Sequence, residues 1–436
     1  MKISVIGQGF VGLSLSTVLA SNGIEVFAIE NNSDKLSQLV NGQTPFFEPK
    51  LDSYLKNSLK KKKLHFQDSL ETVFDKISII FITVSTPTKN GKINLNYIKK
   101  VFAELIPLID KSSNNVTIVI KSTIAPGTTQ KFILPLIKKS TKKIGKDIFL
   151  AINPEFLREG FAIEDQLNPH VVVVGCEDKI TKNTMKIFYE KIYKKNIPII
   201  FTNFSTAELI KYSNNAFLAT KISFINSISN LCQTIPGSNI DDIAKVIGMD
   251  PRIGSQFLNA GPGFGGSCLP KDLLSLISVL KDHNVDSSLF KSVKLVNDTQ
   301  TNLIFELLKN KLKILNNKNI SILGLSFKEN SDDIRESKSI FLIQKILNSK
   351  SRITVFDPLA INNTKKIFDN KIKYAKKISE CYSDSDAVII MNSNKEFSKI
   401  SNSNIKKMRY PLIIDTRRVM KNVPSTIDYI ALGVNS

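Results

Sequence analysis

The stretch MKISVIGQGFVG, Met1 to Gly12, decides the fold. An apolar run, KISVIG (2–7), breaks into Gly7, Gly9 and Gly12 at GxGxxG spacing, directly before a helical pattern. The first glycine permits a tight turn, the second lets main chain approach a pyrophosphate, and the third lets helix pack on strand. The helix N-terminus then turns its partial positive charge toward phosphate oxygens. Glu30 ends the next apolar run, EVFAIE (25–30), 18 residues beyond Gly12. A carboxylate there binds both ribose hydroxyls and repels a 2′-phosphate, so NAD is expected rather than NADP.

Outward from this turn, ISIIFITV (77–84), VTIVIKS (116–122), FLAINP (149–154), VVVVG (171–175) and IPIIF (197–201) read as further strands. Most are continuously apolar, as strands of a parallel sheet covered on both faces are. With helical stretches between several of them, residues 1–204 read as a doubly wound NAD-binding domain. Residues 205–237 carry no strand punctuation, and Ser205 with Glu208 reads as a capping box opening a helix about 45 Å long. A helical middle domain is expected over 205–314. The α/β texture returns in NISILGLSF (319–327), RITVFD (352–357), DAVIIM (386–391) and PLIID (411–415), with a helix after Glu336. Residues 315–436 read as a second, smaller Rossmann-like domain without GxGxxG. The fold class is α/β: two doubly wound domains joined by a helical middle with a long central helix.

At 436 residues, 42% hydrophobic and 23% charged, the chain is globular and too long for one core. It holds no apolar run long enough to span a membrane. Its N-terminus enters the first strand at once, leaving no room for a signal peptide, so a cytoplasmic protein is expected. The net charge of +21 invites a nucleic-acid reading, but only seven of the 60 basic residues are Arg, and the Lys are scattered without interleaved aromatics. No nucleic-acid partner is expected. Cys176, Cys232, Cys268 and Cys381 lie far apart, with neither CxxC spacing nor a His at ligand spacing, which argues against disulfides and against a metal site. Three of them read as buried thiols.

Cys268 differs because it sits in GPGFGGSCLPKD (261–272), behind four glycines and ahead of Lys271 and Asp272. Thiol, amine and carboxylate are the groups of nucleophilic and acid–base chemistry. A second cluster is NPEFLREG (153–160). A third is Lys211 and Asn215, four apart on one helix face, where buried polar groups need polar partners.

These segments, together with STPT (85–88), KSTIAPGT (121–128), AELIKYSNNAFLATKISFIN (207–226), DPRIG (250–254), GLSFKENSDDIRES (324–337) and DTRR (415–418), resemble the UDP-glucose/GDP-mannose dehydrogenase family over essentially the whole chain. The resemblance implies NAD-dependent oxidation of a nucleotide sugar's CH₂OH to a carboxylate in two steps, on an essential cysteine, by dimers or larger homo-oligomers. It gives Cys268 the nucleophile's role, with aldehyde captured as a thiohemiacetal and then oxidised to a thioester. Lys211 would favour the thiolate and stabilise oxyanions, and Asn215 would donate a hydrogen bond to the same oxygen. Asp272 would assist proton transfers, Glu159 and Thr123 would organise water, and Glu155 would be the base for hydrolysis.

On the cofactor side the resemblance adds Phe10, Val11, Lys35, Thr86 and Pro87 to the glycines and Glu30, with Thr123, Glu159, Lys271 and Arg335 near the nicotinamide cofactor. On the sugar-nucleotide side it implies Phe257, Leu258, Asn259, Gly261, Phe264 and Gly265. Phe156, Leu157 and Arg158 flank Glu155 there, and Lys328 and Arg417 stand by the phosphates or ribose. Arg252 resembles an arginine that reaches the neighbouring subunit's sugar site. His170-Val171, Lys50 and Leu269 depart from the family pattern, Lys50 by standing where a glycine turn is usual. UDP-glucose is the favoured substrate, ahead of GDP-mannose and N-acetylhexosamine nucleotides. The rival from another class is a non-catalytic NAD- or nucleic-acid-binding protein.

Overall fold

Branched apolar runs set the first sheet of the computed structural model, which describes residues 1–89, 91–193, 197–421 and 423–435. Its strands are β1 (Lys2–Ile6), β2 (Glu25–Ile29), β3 (Leu64–Gln67) and β4 (Ile79–Ile82), with β5 (Thr88–Lys89) and β6 (Lys92–Ile93) as a separate hairpin. Then follow β7 (Val116–Ile120), β8 (Ile148–Ile152), β9 (Val172–Gly175) and β10 (Ile199–Thr202). The eight-stranded order is β10-β9-β8-β7-β4-β1-β2-β3. All its pairings are parallel except the contact of β8 with β9, so β9 and β10 run against the rest. β4 and β7 are buried along their whole length, with Ile80, Ile82 and Ile118 in the core on one face and Ile79, Phe81 and Val119 in the core on the other. Each such side chain contributes about 1.5–3 kcal/mol by leaving water.

The chain order reverses between β1 and β4, since β1 continues to β2 on one side while β4 continues to β7 on the other. Open α/β sheets bind ligands at that switch point, outside the carboxyl ends of the strands. The glycine turn after β1 and the Thr83–Thr86 segment after β4 lie there.

The chain divides into two units, residues 1–214 and 215–436, inside the helix Phe204–Cys232. That helix has 29 residues, ends before Pro236 and is not opened by the capping box. Asn203 caps it instead, accepting from the Thr206 N–H at 2.8 Å. Glu208 turns away to accept from the Gly127 and Thr129 N–H groups and the Thr129 hydroxyl, at 2.6, 2.8 and 2.5 Å. A carboxylate that finds three donors in the segment after β7 has no reason to reach back to its own helix end.

The second unit carries the helices Ile240–Gly248, Leu269–Asp282 and Ser288–Leu312, then another sheet. Its strands are β11 (Asn319–Leu323), β12 (Arg352–Phe356), β13 (Lys373–Tyr374), β14 (Ala387–Ile390), β15 (Leu412–Asp415) and β16 (Asp428–Ala431), all parallel in the order β13-β12-β11-β14-β15-β16. Asp357 ends β12 as Glu30 ends β2, but its carboxylate is spent on the backbone. It accepts from the N–H groups of Leu325, Ser326, Leu359 and Ala360 at 2.8, 3.2, 2.8 and 2.9 Å. The acid at this end of the second sheet closes turns.

Lys50 adopts the left-handed backbone, φ 68, that glycine takes more readily. Its ammonium meets Glu164 at 2.5 Å. Cys232 and Cys381 are buried, whereas Cys176 is only half-buried. Among the described residues no helix is long and apolar enough to cross a membrane.

Candidate active site

The cofactor turn is built by exclusion. Gly7 has φ 91, and a Cβ on Gly12 would stand 1.9 Å from the Gly7 carbonyl oxygen. Thr83 locks the same carbonyl, its hydroxyl donating to it at 2.7 Å and to the Ile6 carbonyl at 2.9 Å. A Cβ on Gly9 would meet nothing within 4 Å, so main chain is open to a ligand at that one position. The helix Phe10–Ser21 begins there with no side-chain cap and no acid in its first turn, which leaves the helix end of Phe10 and Val11 suited to phosphate. Glu30 is aimed at the same turn. It accepts from the Gln8 N–H at 3.2 Å and the Asn32 N–H at 3.1 Å, and Lys35 lies 2.7 Å from it. Thr86 donates to the Thr123 carbonyl at 2.7 Å, joining the loops after β4 and β7, with Pro87 exposed beside it. These residues fit NAD.

The second group in this unit surrounds a buried ion pair. Glu155 and Lys211 are 7% and 4% exposed. Lys211 Nζ donates to the Glu155 carbonyl at 2.6 Å and to its carboxylate at 3.0 Å, and lies 5.6 Å from the Phe156 ring centroid. The Leu157 N–H donates to the other carboxylate oxygen at 2.6 Å. Burial by itself would raise the Glu155 carboxyl. Lys211, the Leu157 N–H and Lys121 outweigh it and hold the group below the ordinary carboxylate range. Arg158 forks onto Asp165 at 2.7 and 3.0 Å, while Glu159 next to it is half-buried. His170 packs edge-on against Phe156 with centroids 5.4 Å apart, so the substituted position supports the ring beside Lys211.

In the second unit Cys268 is exposed and stands at the N-terminus of the helix Leu269–Asp282, where the helix end favours thiolate. Leu269 is the first residue of that helix. Asp272, one turn on, is 1% exposed and held from two sides, by Asn215 Nδ2 at 2.6 Å and Lys271 Nζ at 2.5 Å. The glycine loop is tight against its supports. A Cβ on Gly265 would sit 2.3 Å from the Glu336 carbonyl oxygen, and one on Gly261 would sit 2.5 Å from Arg417 Nη1. Asn226 accepts from the Gly261 N–H at 2.8 Å, and Asn297 both accepts from the Phe264 N–H and donates to its carbonyl, at 2.7 and 3.1 Å.

Burial pushes the Arg417 guanidinium down to about 10, with Arg418 adding to the effect against Glu329 and Asp415. Its buried Nε has no hydrogen-bond partner among the described residues. An unsatisfied cation against a glycine loop suits a phosphate. Phe257 takes φ 65, Leu258 beside it is buried and Asn259 is exposed. Lys328 Nζ lies 5.7 Å from the Phe327 ring centroid. Arg252 and Arg335 are each gripped by an aspartate two residues back, Asp250 and Asp333, at 2.6 Å.

Three family models match in succession: the NAD binding domain of the UDP-glucose/GDP-mannose dehydrogenase family over residues 1–193, its central domain over 205–299 and its UDP binding domain over 321–422. The chain belongs to this family. It is 37% identical to the UDP-glucose 6-dehydrogenase of Rickettsia felis over 97% of this chain and 93% of that one. It is 36% identical to that of Bacillus subtilis over 99% and 98%. Its fold is similar to a UDP-glucose dehydrogenase structure from the archaeon Pyrobaculum islandicum, at TM-score 0.90 and 29% identity over 99% and 96% of the two chains. As a member of the family it is an NAD-dependent oxidoreductase. Sequence reasoning passed over Lys121, Asn226 and Asn297. The signal for the two asparagines was a polar residue on the apolar face of a helix, the same signal that found Lys211 and Asn215.

Proposed function

We propose that this enzyme oxidises UDP-glucose to UDP-glucuronate, with Cys268 carrying the intermediates. The observation that carries the reading is an exposed thiol at a helix N-terminus, one turn from a buried carboxylate held by Asn215 and Lys271. The relatives named as UDP-glucose 6-dehydrogenases support the choice of sugar nucleotide. NAD⁺ supplies the chemistry of hydride acceptance, twice per sugar. Cys268 adds through sulfur to the aldehyde carbon, and the proton needed by the new oxygen comes from the acid–base groups, of which Asp272 is one. Lys211 and Asn215 stabilise negative charge as it forms on that oxygen. After the second oxidation the carbon is a thioester. Water then bonds to it, the C–S bond breaks, Cys268 leaves as thiolate, and the proton of water passes to Glu155. Thr123 and Glu159 order that water. The sum is UDP-glucose, two NAD⁺ and water giving UDP-glucuronate, two NADH and three protons.

The residues divide by task. Residues 1–204 hold the cofactor through Gly7, Gly9, Phe10, Val11, Gly12, Glu30 and Lys35. Residues 205–314 carry the thiol loop, and 315–436 bring Lys328 and Arg417 to the sugar nucleotide. We place the enzyme in the cytoplasm. A panel of UDP- and GDP-sugars read by NADH absorbance tests the assignment. UDP-glucose is expected to give two NADH per acid, with NAD⁺ preferred to NADP⁺ by at least about tenfold through Glu30. Turnover of GDP-mannose instead, the substrate that Leu269 favours, would reassign the sugar.

The long helix supports reading the enzyme as an oligomer. Phe217, Phe224 and Leu231, seven residues apart, are 64%, 51% and 54% exposed, and Val246 on the next helix and Met249 just after it are exposed too. A stripe of that size marks a protein contact, and Arg252, on the surface, is the residue to serve a neighbouring site. We expect a dimer or larger assembly that Phe224→Glu splits into monomers with loss of at least about tenfold in activity. A fully active monomer in sedimentation velocity at assay concentration would contradict both claims.

A further inference from the structure

Glu48 stands outside every role given above. It lies in the loop before the helix Leu51–Lys60, is 5% exposed, and has both carboxylate oxygens taken by backbone far along the chain. One accepts from the Gly160 N–H and the other from the Ala162 N–H, each at 2.7 Å. Gly160 takes φ 81, so the chain turns there, and Ala162 opens the helix Ala162–Leu167. Phe161, at the N-cap, gives that helix no side-chain cap. A Ser or Asp at Phe161 would satisfy such N–H groups locally. Burying a carboxylate that comes from 112 residues away is the costlier solution. It does what a local cap cannot, because it ties the turn to a second element.

That turn carries the groups read as hydrolytic, Glu155 and Glu159. It is closed on itself by the Phe161 N–H, which donates to the Arg158 carbonyl at 2.9 Å, and by the Arg158 N–H, which donates to the Asp165 carboxylate at 2.8 Å. From outside it is held by Glu48 and by Lys50, whose ammonium meets Glu164. The Lys50 pair is exposed and contributes little, whereas the Glu48 bonds are buried and charge-assisted. The same loop also touches the cofactor turn, where the Phe46 and Phe10 rings pack with centroids 5.8 Å apart.

We propose that Glu48 is a positioning residue for thioester hydrolysis, holding the 155–160 turn so that Glu159 orders the attacking water. The proposal rests on reading Cys268 as the carrier of the thioester and Glu159 as an organiser of water. In that step the water oxygen bonds to the thioester carbon and the C–S bond breaks. Its electron pair goes to Cys268 Sγ, and the proton of water goes to Glu155. Both hydride transfers come earlier, so an enzyme with a displaced turn completes them once and then stalls. Glu48→Gln displaces the turn because an amide offers one accepting oxygen where the carboxylate offers two. One of the two buried N–H groups then faces an NH₂.

The test mixes UDP-glucose and NAD⁺ rapidly with the native enzyme, Glu48→Gln, Glu48→Asp and Glu159→Gln. NADH absorbance, intact-protein mass of quenched samples and a melting curve are read for each. Glu48→Gln and Glu159→Gln should both release about two NADH per subunit as fast as the native first turnover. Their steady rates should then fall at least about tenfold below native, with most Cys268 carrying a UDP-glucuronyl thioester. Glu48→Asp keeps both oxygens but is one methylene short, so it should stall in the same way to a smaller extent, and it serves if the Gln variant does not fold. A merely structural role would slow the first two hydride transfers along with the steady rate and leave no thioester. If Glu159→Gln stalls as the thioester while the folded Glu48 variants show no such build-up, the link from Glu48 to hydrolysis is overturned. If Glu159→Gln itself builds up no thioester, the reading of Glu159 falls and the proposal falls with it.

Discussion

Cys268→Ala should lower formation of the sugar acid at least about a thousandfold while leaving UDP-glucose binding largely intact. The size of the effect follows from the chemistry. Without the thiol, the aldehyde from the first oxidation has to leave or hydrate before it can be oxidised again. With Cys268 it stays attached, on a carbon that carries hydrogen and oxygen in position for the second oxidation. The fold supports this by placing the thiol on the surface at a helix N-terminus, where thiolate is favoured, and by burying Asp272 one turn away with two donors on its carboxylate. Cys268→Ser should give at most a slow reaction that stalls at a covalent ester, because an alkoxide leaves less readily than a thiolate. NADH stoichiometry and intact-protein mass after incubation with UDP-glucose distinguish the three enzymes. Near-native acid formation by Cys268→Ala would remove the thiol from the mechanism.

What was legible in the sequence was what local pattern dictates. Buried parallel strands are continuous apolar runs, so β4 and β7 could be read directly, and the glycine spacing marked the turn after β1. Strands with weaker patterns escaped. LHFQ in β3 includes two polar residues, β13 has only two residues, and β16 is an edge strand of half-buried residues. The capping box failed for a different reason. Ser205 and Glu208 have the right spacing, but spacing cannot say that Gly127, some 80 positions away, offers Glu208 a better donor. Lys121 was hidden in the same way. It follows an apolar strand in KSTIAPGT and looks like the point where the strand reaches water, yet it is buried, its ammonium donating to Asn153 just beyond the end of β8. Polar groups whose partners are distant in sequence are found only once the sheet has been assembled.

Two glycines of the same turn should fail in opposite ways when given a methyl group. In an open helix, Ala at position 12 would be favoured over Gly by about 1 kcal/mol. Here its Cβ would lie 1.9 Å from the Gly7 carbonyl oxygen and 2.5 Å from Thr83 Oγ1. Neither neighbour can yield easily. Gly7 is pinned by its left-handed φ of 91 and by its N–H donating to the Ile29 carbonyl at 2.8 Å, and the Thr83 hydroxyl is bonded to the carbonyl it would have to leave. The helix must therefore move out by more than an ångström, taking buried Leu13 and Ala20 with it. Overpacking of this kind costs about 3 kcal/mol, which outweighs the gain in propensity. Gly12→Ala is expected to lower the melting temperature and to raise the KM for NAD⁺ at least about tenfold. Gly9 has φ −73 and nothing within 4 Å of its Cβ, so Gly9→Ala should leave stability within about 0.5 kcal/mol of native. Its methyl would stand where main chain meets the pyrophosphate, and the KM for NAD⁺ should rise by a similar factor with kcat much less affected. Thermal melting and initial rates across NAD⁺ concentrations separate the two. A Gly9→Ala enzyme with native KM would mean that the pyrophosphate does not lie over this turn.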